Sequence, residues 1–213
     1  MKYIIEVGAN NGDSTVDFVN SGCIVYAFEP TPRFVTELKQ RFRDRNNFNI
    51  INAAVDVVDG TATFNIAGSD KGDWGCSSLH QFTDNVHNLW ADSGRTREDL
   101  QSIFTFTDSV EVNTMRLDTF MHMMAIDEVE WLHIDAQGSD FNVLKSLGDR
   151  WKDVKAGQVE ATMNLSLYKD ADNHISGITE WLNERDFKIT QIRPIDSDSN
   201  EVDVLFTKKE INQ

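Results

Sequence analysis

The 213-residue sequence predicts a doubly wound α/β fold, in which helices cover both faces of a mostly parallel sheet that ends in an antiparallel hairpin at one edge. Two observations support this prediction. Short apolar runs alternate with helix-forming segments along most of the chain, and the last two apolar runs follow one another with no helix between them. We expect a single domain over residues 1–213, with an insertion at about 67–109 where the alternation stops.

The first two β-α units show the pattern most clearly. The apolar run at 3–8 predicts a strand, and Ser14-x-x-Asp17 after it resembles the capping box that begins a helix. The run at 23–29 predicts a second buried strand, followed by a turn marked by prolines and an amphipathic helix over 34–43.

A third strand is expected over 48–55, and the turn dipeptide Asp59-Gly60 then leads into the segment 61–66, its expected hairpin partner. Beyond the insertion the alternation resumes. Strands are expected at 110–116, 129–135, 158–163, 187–192 and 202–207, and helices at 117–124, 139–147 and 175–185. In doubly wound sheets, ligands bind at the carboxyl ends of the strands, where the strand order reverses.

Charge and composition limit the partners of this protein. It has 35 acidic and 20 basic residues and a formal net charge of −15, which repels phosphate backbones and anionic lipid head groups. We therefore expect a small-molecule partner, and neither nucleic acid nor a membrane.

Two cysteines provide no disulfide framework, and no signal peptide is recognised, so we expect a cytoplasmic protein. The oligomeric state is left open.

The loop after the first strand contains Gly8 and Gly12. A dinucleotide-binding loop has a further glycine between them, where the backbone approaches a pyrophosphate, but here Asn10 occupies that place. Asp13 then puts a carboxylate at the start of the next helix, where its charge opposes a phosphate. The loop therefore disfavours a phosphate-bearing cofactor. A tight turn without a ligand is the alternative interpretation.

The same acidic loop suits S-adenosylmethionine, which has no phosphate and carries a cationic sulfonium and a cationic ammonium group. Glu6 is expected to meet the charged methionine end. Glu29, followed by Pro30 at the end of the second strand, has two oxygens that can accept hydrogen bonds from both ribose hydroxyls. Ala54 is small enough for adenine to approach. The alternative for Glu29 is a helix-start acid before Pro30.

Four motifs in the chain together resemble the FkbM family of methyltransferases: EVGANNGDS, VYAFEPTP, RLDTF and LHIDAQGSDFNVLKSL. The resemblance covers nearly the whole chain. It implies the seven-stranded, Rossmann-like methyltransferase sheet and S-adenosylmethionine as the cofactor. The chain departs from the family in beginning directly at its first strand, and in having Gln137 and Asp140 where glutamate is common. A carboxylate at position 137 is therefore dispensable for the expected mechanism.

Methyl transfer to a hydroxyl needs a group that accepts the hydroxyl proton. Asp135, at the end of a strand, is the first candidate, with His133 on the same face and Glu160 on the next strand. The alternatives are that Asp135 caps the helix beginning near Ser139 and that His133 is an ordinary core histidine. A metal shared by Asp135, Glu160 and Asn164 is a further hypothesis, against which simple hydrogen bonding is the usual role.

The insertion is expected to be a lid, because its aromatic residues argue against disorder. The family resemblance implies that Ser77 and Ser78 border the adenosine or acceptor pocket, and that Gln137, Asn164 and Tyr168 belong to the substrate site. Other polar and aromatic candidates in the insertion are Trp74, His80, His87, Trp90, Arg95 and Arg97. The two arginines either bind an acidic acceptor or pair with the protein's own acids.

These expectations combine into an S-adenosylmethionine-dependent methyltransferase. The acceptor, a hydroxyl on a small molecule or sugar, is implied only by the family resemblance. Two other functions stay open at this point. An NAD-binding oxidoreductase would also use Glu29 on the ribose. A non-catalytic module would retain the S-adenosylmethionine pocket for regulation or assembly.

Overall fold

The computed structural model describes residues 1–68, 75–84, 86–89, 94–195 and 200–209. Its strands are β1 (Tyr3–Val7), β2 (Ile24–Phe28), β3 (Phe48–Ile51), β4 (Ala54–Val55), β5 (Gly60–Ala67), β6 (Phe106–Met115), β7 (Val129–Ile134), β8 (Ala156–Thr162), β9 (Phe187–Pro194) and β10 (Glu201–Lys208). Its α-helices are α1 (Asp13–Asn20), α2 (Pro32–Arg41), α3 (Val86–Leu89), α4 (Arg97–Ile103), α5 (Leu117–Met123), α6 (Asp140–Ser146) and α7 (Ile175–Glu184), and a 3₁₀ helix spans Gly148–Asp153.

Seven strands form the main sheet, in the order β3-β2-β1-β7-β8-β10-β9. The strands β3, β2, β1, β7 and β8 are parallel, and β10 runs antiparallel to both β8 and β9. This confirms the predicted fold class, including the antiparallel hairpin at the edge. The chain moves outward from β1 to β3 and returns on the other side at β7, so the strand order reverses between β1 and β7. The carboxyl ends of these two strands therefore flank a crevice.

Helices cover both faces of the main sheet. Successive residues of a strand point to opposite sides, so each strand packs against helices on both faces. On one face, Ile5 and Leu132 belong to an apolar cluster with residues of α5, α6 and α7. On the other face, Ile4 and Ala27 pack with residues of α1 and α2. Burial on both faces explains why these strands are near-continuous apolar runs in the sequence. Among the described helices, none is long and apolar enough to span a membrane.

The predicted hairpin partner of the third strand is wrong. The segment expected as one strand divides into β3 and β4, and β4 belongs to a second sheet of order β4-β6-β5. Asn52 lies at the division, where its side-chain amide donates hydrogen bonds to the carbonyl oxygens of Glu29 and Pro30 at 3.1 and 3.2 Å. The segment 61–66 lies in β5, which pairs with β6, and its apolar side chain Phe64 packs against β6 and β4.

The predicted capping box at Ser14 is also wrong. Helix α1 begins one residue earlier, at Asp13, after Gly12 in the left-handed conformation with φ of +82°, and no side chain caps it. The structure has a reciprocal capping box elsewhere, between Thr96 and Asp99 at the start of α4. This helix lies within the insertion, which is therefore more regular than the sequence predicts.

The insertion packs against the segment that follows β8. Its apolar residues form a cluster with Leu167 and Tyr168. The ring of Phe82 stacks on Phe106, with centroids 4.1 Å apart, and on Tyr168 at 5.4 Å. These contacts hold the described part of the insertion near the carboxyl ends of the main strands. Trp74, Trp90 and the side chain of His87 lie outside what the structure describes.

Gly157 of β8 lies against the backbone of β7, and a β-carbon there would be 2.3 Å from the carbonyl oxygen of Leu132. We expect Gly157→Ala to lower the free energy of unfolding by about 1–3 kcal/mol, the usual cost of overpacking. Chemical denaturation measures this loss. Gly60→Ala is the matched control, since the nearest atom to its added β-carbon lies 3.9 Å away. Equal losses in the two variants would contradict the tight contact between β7 and β8.

Candidate cofactor and acceptor site

A cavity of about 500 Å³ lies at the carboxyl ends of β1, β2, β7 and β8, where the strand order reverses. Its volume is in the usual range for small-molecule sites. Among the described residues, its lining includes five acidic side chains and no lysine or arginine. The acidic residues are Asp13, Glu29, Asp135, Glu160 and Glu201. The cavity is therefore suited to a ligand that carries positive charge.

The glycine loop after β1 approaches the end of β7 very closely. Gly8 has φ of +86°, and a β-carbon on it would lie 1.8 Å from the carbonyl oxygen of Asp135. Only glycine permits this approach. Gly8 and Asn10 line the cavity. Gly12, the other glycine of the loop, does not line the cavity and packs against α2, where an added β-carbon would lie 2.4 Å from Leu38.

Glu29 follows β2 and holds the glycine loop. One carboxylate oxygen accepts a hydrogen bond from the backbone N–H of Asn10 at 2.8 Å, and the other accepts from the backbone N–H of Thr31 at 2.7 Å. A carboxylate oxygen can accept more than one hydrogen bond, so these two bonds by themselves do not saturate the Glu29 carboxylate. Pro30 and Ala54, the other residues predicted on this side, also line the cavity.

Glu6, which was predicted to meet the methionine end of the cofactor, lies behind the glycine loop and is not among the residues that line the cavity. The alternation of β1 points it toward α1, where one carboxylate oxygen accepts a hydrogen bond from the Thr15 hydroxyl at 2.7 Å. Its other oxygen is buried and has no partner in the described part of the chain. Burial raises the pKa of Glu6 to about 8; the Thr15 hydrogen bond opposes the shift, and the nearby acids Asp135 and Glu29 increase it.

Asp135 lines the cavity and is held by a chain of hydrogen bonds. The Gln137 side chain donates from Nε2 to Asp135 Oδ1 at 2.6 Å, and Tyr168 donates its hydroxyl to Gln137 Oε1 at 2.7 Å. Burial raises the pKa of Asp135, while the Gln137 hydrogen bond and His133 act in the opposite direction. Gln137 lines the cavity, whereas Tyr168 is fully buried behind it and does not. Tyr168 therefore acts on the cavity through Gln137.

Asp140, the first residue of α6, closes the loop between β7 and that helix. Its carboxylate accepts hydrogen bonds from the backbone N–H groups of Ala136 at 2.7 Å and Gly138 at 3.0 Å. Burial raises the pKa of Asp140 to about 7. The hydrogen bonds from Ala136 and Gly138 lower this pKa, and the charge of Asp135 raises it. The loop N–H groups are bound by Asp140, so the alternative in which Asp135 caps α6 has no support in the structure.

Two further acids line the cavity from the other side. Glu160 of β8 is 5% exposed, and its Oε1 has no hydrogen-bond partner in the described ranges. Glu201, the first residue of β10, lines the cavity beside it. Glu201 was not predicted as a site residue, although the alternation of acidic and apolar residues from Glu201 to Val204 was the available signal. His133 also lines the cavity, and burial lowers the pKa of its imidazole.

The two predicted serines of the insertion have different positions. Ser77 lines the cavity, and its hydroxyl accepts a hydrogen bond from the backbone N–H of Ala67 at 3.0 Å. Ser78 is fully buried and does not line the cavity. It donates a hydrogen bond to the carbonyl oxygen of Gln137 at 2.6 Å, because β5 and the segment around Ser78 pair beside that loop. Ser78 thus connects the insertion to the loop after β7.

Asn164, which was predicted at the substrate site, lies away from the cavity and its supporting contacts. It is exposed, and its backbone N–H donates to the side chain of Asn200 at 2.8 Å. The hypothesis of a metal shared by Asp135, Glu160 and Asn164 therefore loses its third ligand. Within the described ranges, no group of three or more His, Cys, Asp or Glu side chains has the arrangement to hold a metal ion. The two arginines proposed for an acidic acceptor do not line the cavity either.

The architecture matches known methyltransferases. A methyltransferase FkbM from Methylobacillus flagellatus KT has a TM-score of 0.57 at 12% identity, with 97% of this chain and 44% of that chain covered. An rRNA methylase from Streptococcus thermophilus has a TM-score of 0.51 at 11% identity, with 98% of this chain and 87% of that chain covered. Fibrillarin from Aeropyrum pernix, solved with natively bound S-adenosylmethionine, has a TM-score of 0.50 at 11% identity, with 96% of this chain and 65% of that chain covered. At these identities the similarity shows the fold, which is that of the Rossmann-like methyltransferases.

The family model described as the methyltransferase FkbM domain matches residues 6–189. The chain belongs to the FkbM methyltransferase family. None of the curated proteins matches it by sequence. The predicted family is thereby confirmed, and S-adenosylmethionine is the cofactor that accompanies it.

The buried carboxyl of Glu6 predicts a dependence of stability on pH. Its pKa in the folded protein is about 8, compared with 4.5 in the unfolded chain, so the folded state holds this proton more tightly. Stability that is present below about pH 4.5 is therefore lost as the pH rises toward 8, by at most about 1.4 kcal/mol per pH unit. Glu6→Gln removes this titration. We expect the free energy of unfolding of Glu6→Gln, minus that of the wild type, to increase between pH 5 and pH 8.

The measurement is urea denaturation at a series of pH values. Glu111→Gln is the matched control, because Glu111 is an exposed residue of β6 that does not line the cavity. A difference that stays constant with pH for Glu6→Gln would show that Glu6 is ionised in the folded protein at neutral pH.

Proposed function

We propose that this protein transfers the methyl group of S-adenosylmethionine to a hydroxyl of a small molecule, and that Asp135 accepts the hydroxyl proton. One observation carries the proposal. The Asp135 carboxylate lines the cavity at the point where the strand order reverses, and a hydrogen bond of 2.6 Å from Gln137 fixes its orientation. A base held in one orientation at a cofactor cavity is what proton acceptance from a bound hydroxyl requires.

The residues around the cavity fit the cofactor. Glu29 lines the cavity at the end of β2, and its carboxylate is an acceptor of the kind that suits the two ribose hydroxyls. Ala54 leaves room for adenine beside this end of the cavity. Gly8 removes the side chain that would separate the cofactor from the end of β7. The acidic lining, with no lysine or arginine among its described residues, compensates the positive charge of the ligand.

The chemistry divides between cofactor and protein. S-adenosylmethionine supplies an electrophilic methyl group. The part assigned to the protein is to orient the acceptor and to take its proton at Asp135. Burial raises the pKa of Asp135, which makes its carboxylate a stronger base than an exposed aspartate. Gln137 counteracts part of this shift and positions the carboxylate, and Tyr168 in turn positions Gln137.

A small molecule is a better acceptor for this protein than RNA, even though an rRNA methylase and fibrillarin share its fold. The formal net charge of −15 repels a polyanion. The described lining of the cavity also offers no lysine or arginine to a phosphate. Both observations favour a neutral or cationic acceptor.

The geometry of the glycine loop argues against an NAD-binding oxidoreductase. A dinucleotide pyrophosphate needs free backbone N–H groups in this loop. The N–H of Asn10, at the position of the missing glycine, donates to the Glu29 carboxylate instead. Asp13 places a carboxylate, paired with Arg41 at 3.1 Å, at the start of α1, where the pyrophosphate would bind.

Asp135→Asn tests the proposed base. Asparagine has nearly the same shape but cannot accept the proton, so we expect turnover to fall by about two to four powers of ten while the affinity for S-adenosylmethionine changes little. Isothermal titration measures the affinity, and single-turnover methylation measures the rate once an acceptor is in hand. The conservative change keeps the backbone contact between Asp135 and Gly8.

Near-normal turnover by Asp135→Asn would remove Asp135 from the mechanism. A large loss of cofactor affinity would instead assign Asp135 to cofactor binding. Unaltered melting temperature of the wild type with millimolar S-adenosylhomocysteine would count against the cofactor site itself, because a ligand that binds only the folded state must stabilise it.

A further inference from the structure

We propose that Glu160 and Glu201 form a subsite for a protonated amine, so that the acceptor carries an amino group in addition to the hydroxyl that is methylated. This inference rests on the proposed function, because it concerns the acceptor of the same reaction. It adds a chemical class that neither the family nor the neighbouring structures specify.

The first observation is the state of the Glu160 side chain. It is almost completely buried, lines the cavity, and leaves its Oε1 without a hydrogen-bond partner among the described residues. A buried carboxylate oxygen with no donor is costly, and such groups are ordinarily paired. Glu160 is thus a cavity-lining residue whose carboxyl group has acceptor capacity that no described residue uses.

The second observation is the arrangement of the neighbouring acids. In the antiparallel pair of β8 and β10, Glu160 lies opposite Asp203, and Glu201 lies opposite Thr162 two residues farther along. These side chains share one face of the sheet. Glu201 lines the cavity and is 7% exposed. Two carboxyl groups from adjacent strands therefore border the same part of the cavity.

The third observation is that the basic residue on this face is used elsewhere. Arg193 of β9 donates to the carboxylate of Asp203 at 2.7 Å. It is absent from the described lining of the cavity, as are all other arginines and lysines. Asp203 is thus balanced within the protein, whereas the Oε1 of Glu160 has no hydrogen-bond partner among the described residues.

These observations select the charge of the ligand. Burial raises the pKa of Glu160 well above its usual range, and Asp135 and Glu201 raise it further. A ligand carboxylate or phosphate would increase this repulsion. A protonated amine reduces it and has three N–H donors, which can be shared between the carboxyl groups of Glu160 and Glu201. The carboxyl groups of Glu160 and Glu201 therefore favour binding of an ammonium group over binding of a neutral hydroxyl.

The test compares probes that share a skeleton and differ in one group: glucosamine, glucose and glucuronic acid, and the shorter set ethanolamine, ethylene glycol and glycolate. Each is titrated into protein saturated with S-adenosylhomocysteine, which prevents turnover, and both the melting temperature and the dissociation constant are measured. We expect the amine of each set to bind about tenfold or more tightly than its hydroxyl counterpart, and the carboxylate to bind most weakly.

Glu160→Gln should abolish this preference for the amine, while leaving the melting shift caused by S-adenosylhomocysteine intact. Glu201→Gln, a second variant in case the first is poorly folded, should reduce the preference. Glu111→Gln changes the net charge equally at an exposed position outside the cavity and should preserve it, which controls for general attraction to an acidic protein.

Equal binding of amine and hydroxyl probes, no binding of any amine, or an amine preference that survives in both Glu160→Gln and Glu201→Gln would overturn the subsite. These failures are distinguishable from failure of the proposed function. A normal shift with S-adenosylhomocysteine and no amine preference removes only the subsite, whereas no shift with S-adenosylhomocysteine removes the cofactor assignment.

Discussion

The contact between Gly8 and the carbonyl oxygen of Asp135 is the constraint on which the candidate site depends. A β-carbon at Gly8 would lie 1.8 Å from that oxygen, so the loop after β1 and the end of β7 can come together only where the side chain is missing. The loop conformation then lets Asn10 donate its N–H to Glu29, which connects the ends of β1 and β2. Three strand ends are thereby joined by backbone geometry, and the acidic side chains at these ends border one cavity.

Placing acidic side chains close together raises the free energy of their charged forms. The carboxyl groups differ in how many hydrogen-bond donors the protein provides to offset this effect. Glu29 and Asp140 accept backbone N–H groups, and Asp135 accepts from Gln137, so these carboxyls have donors within the protein. Glu6 and Glu160 each keep a buried oxygen without a partner in the described part of the chain. Their charged forms are therefore disfavoured until a cation or donor approaches. Glu6 lies outside the cavity, whereas Glu160 lines it. In the proposed function, a bound ligand contributes positive charge beside Glu160, which makes the cavity selective before any shape complementarity is considered.

The parts of this arrangement that depend on the local pattern of apolar and polar residues could be predicted from the sequence. Parallel strands buried on both faces are apolar runs, and the strand-order rule brings Glu29 and Asp135 together at their ends. The remaining parts depend on pairing between distant segments. The position of Glu201 requires knowing that β10 pairs with β8, and the displacement of β5 into a second sheet depends on its pairing with β6. The link from Tyr168 through Gln137 to Asp135 depends on side-chain orientation, including the left-handed backbone of Gln137, which no periodicity encodes.

A crystal structure of the protein with bound S-adenosylhomocysteine tests the central claim most directly, because it locates the ligand relative to the three joined strand ends. We expect both ribose hydroxyls to lie within hydrogen-bond distance of the Glu29 carboxylate, and the ligand sulfur to face the part of the cavity bordered by Asp135 and Glu160. A ligand bound outside this cavity, or one whose ribose points away from Glu29, would contradict it.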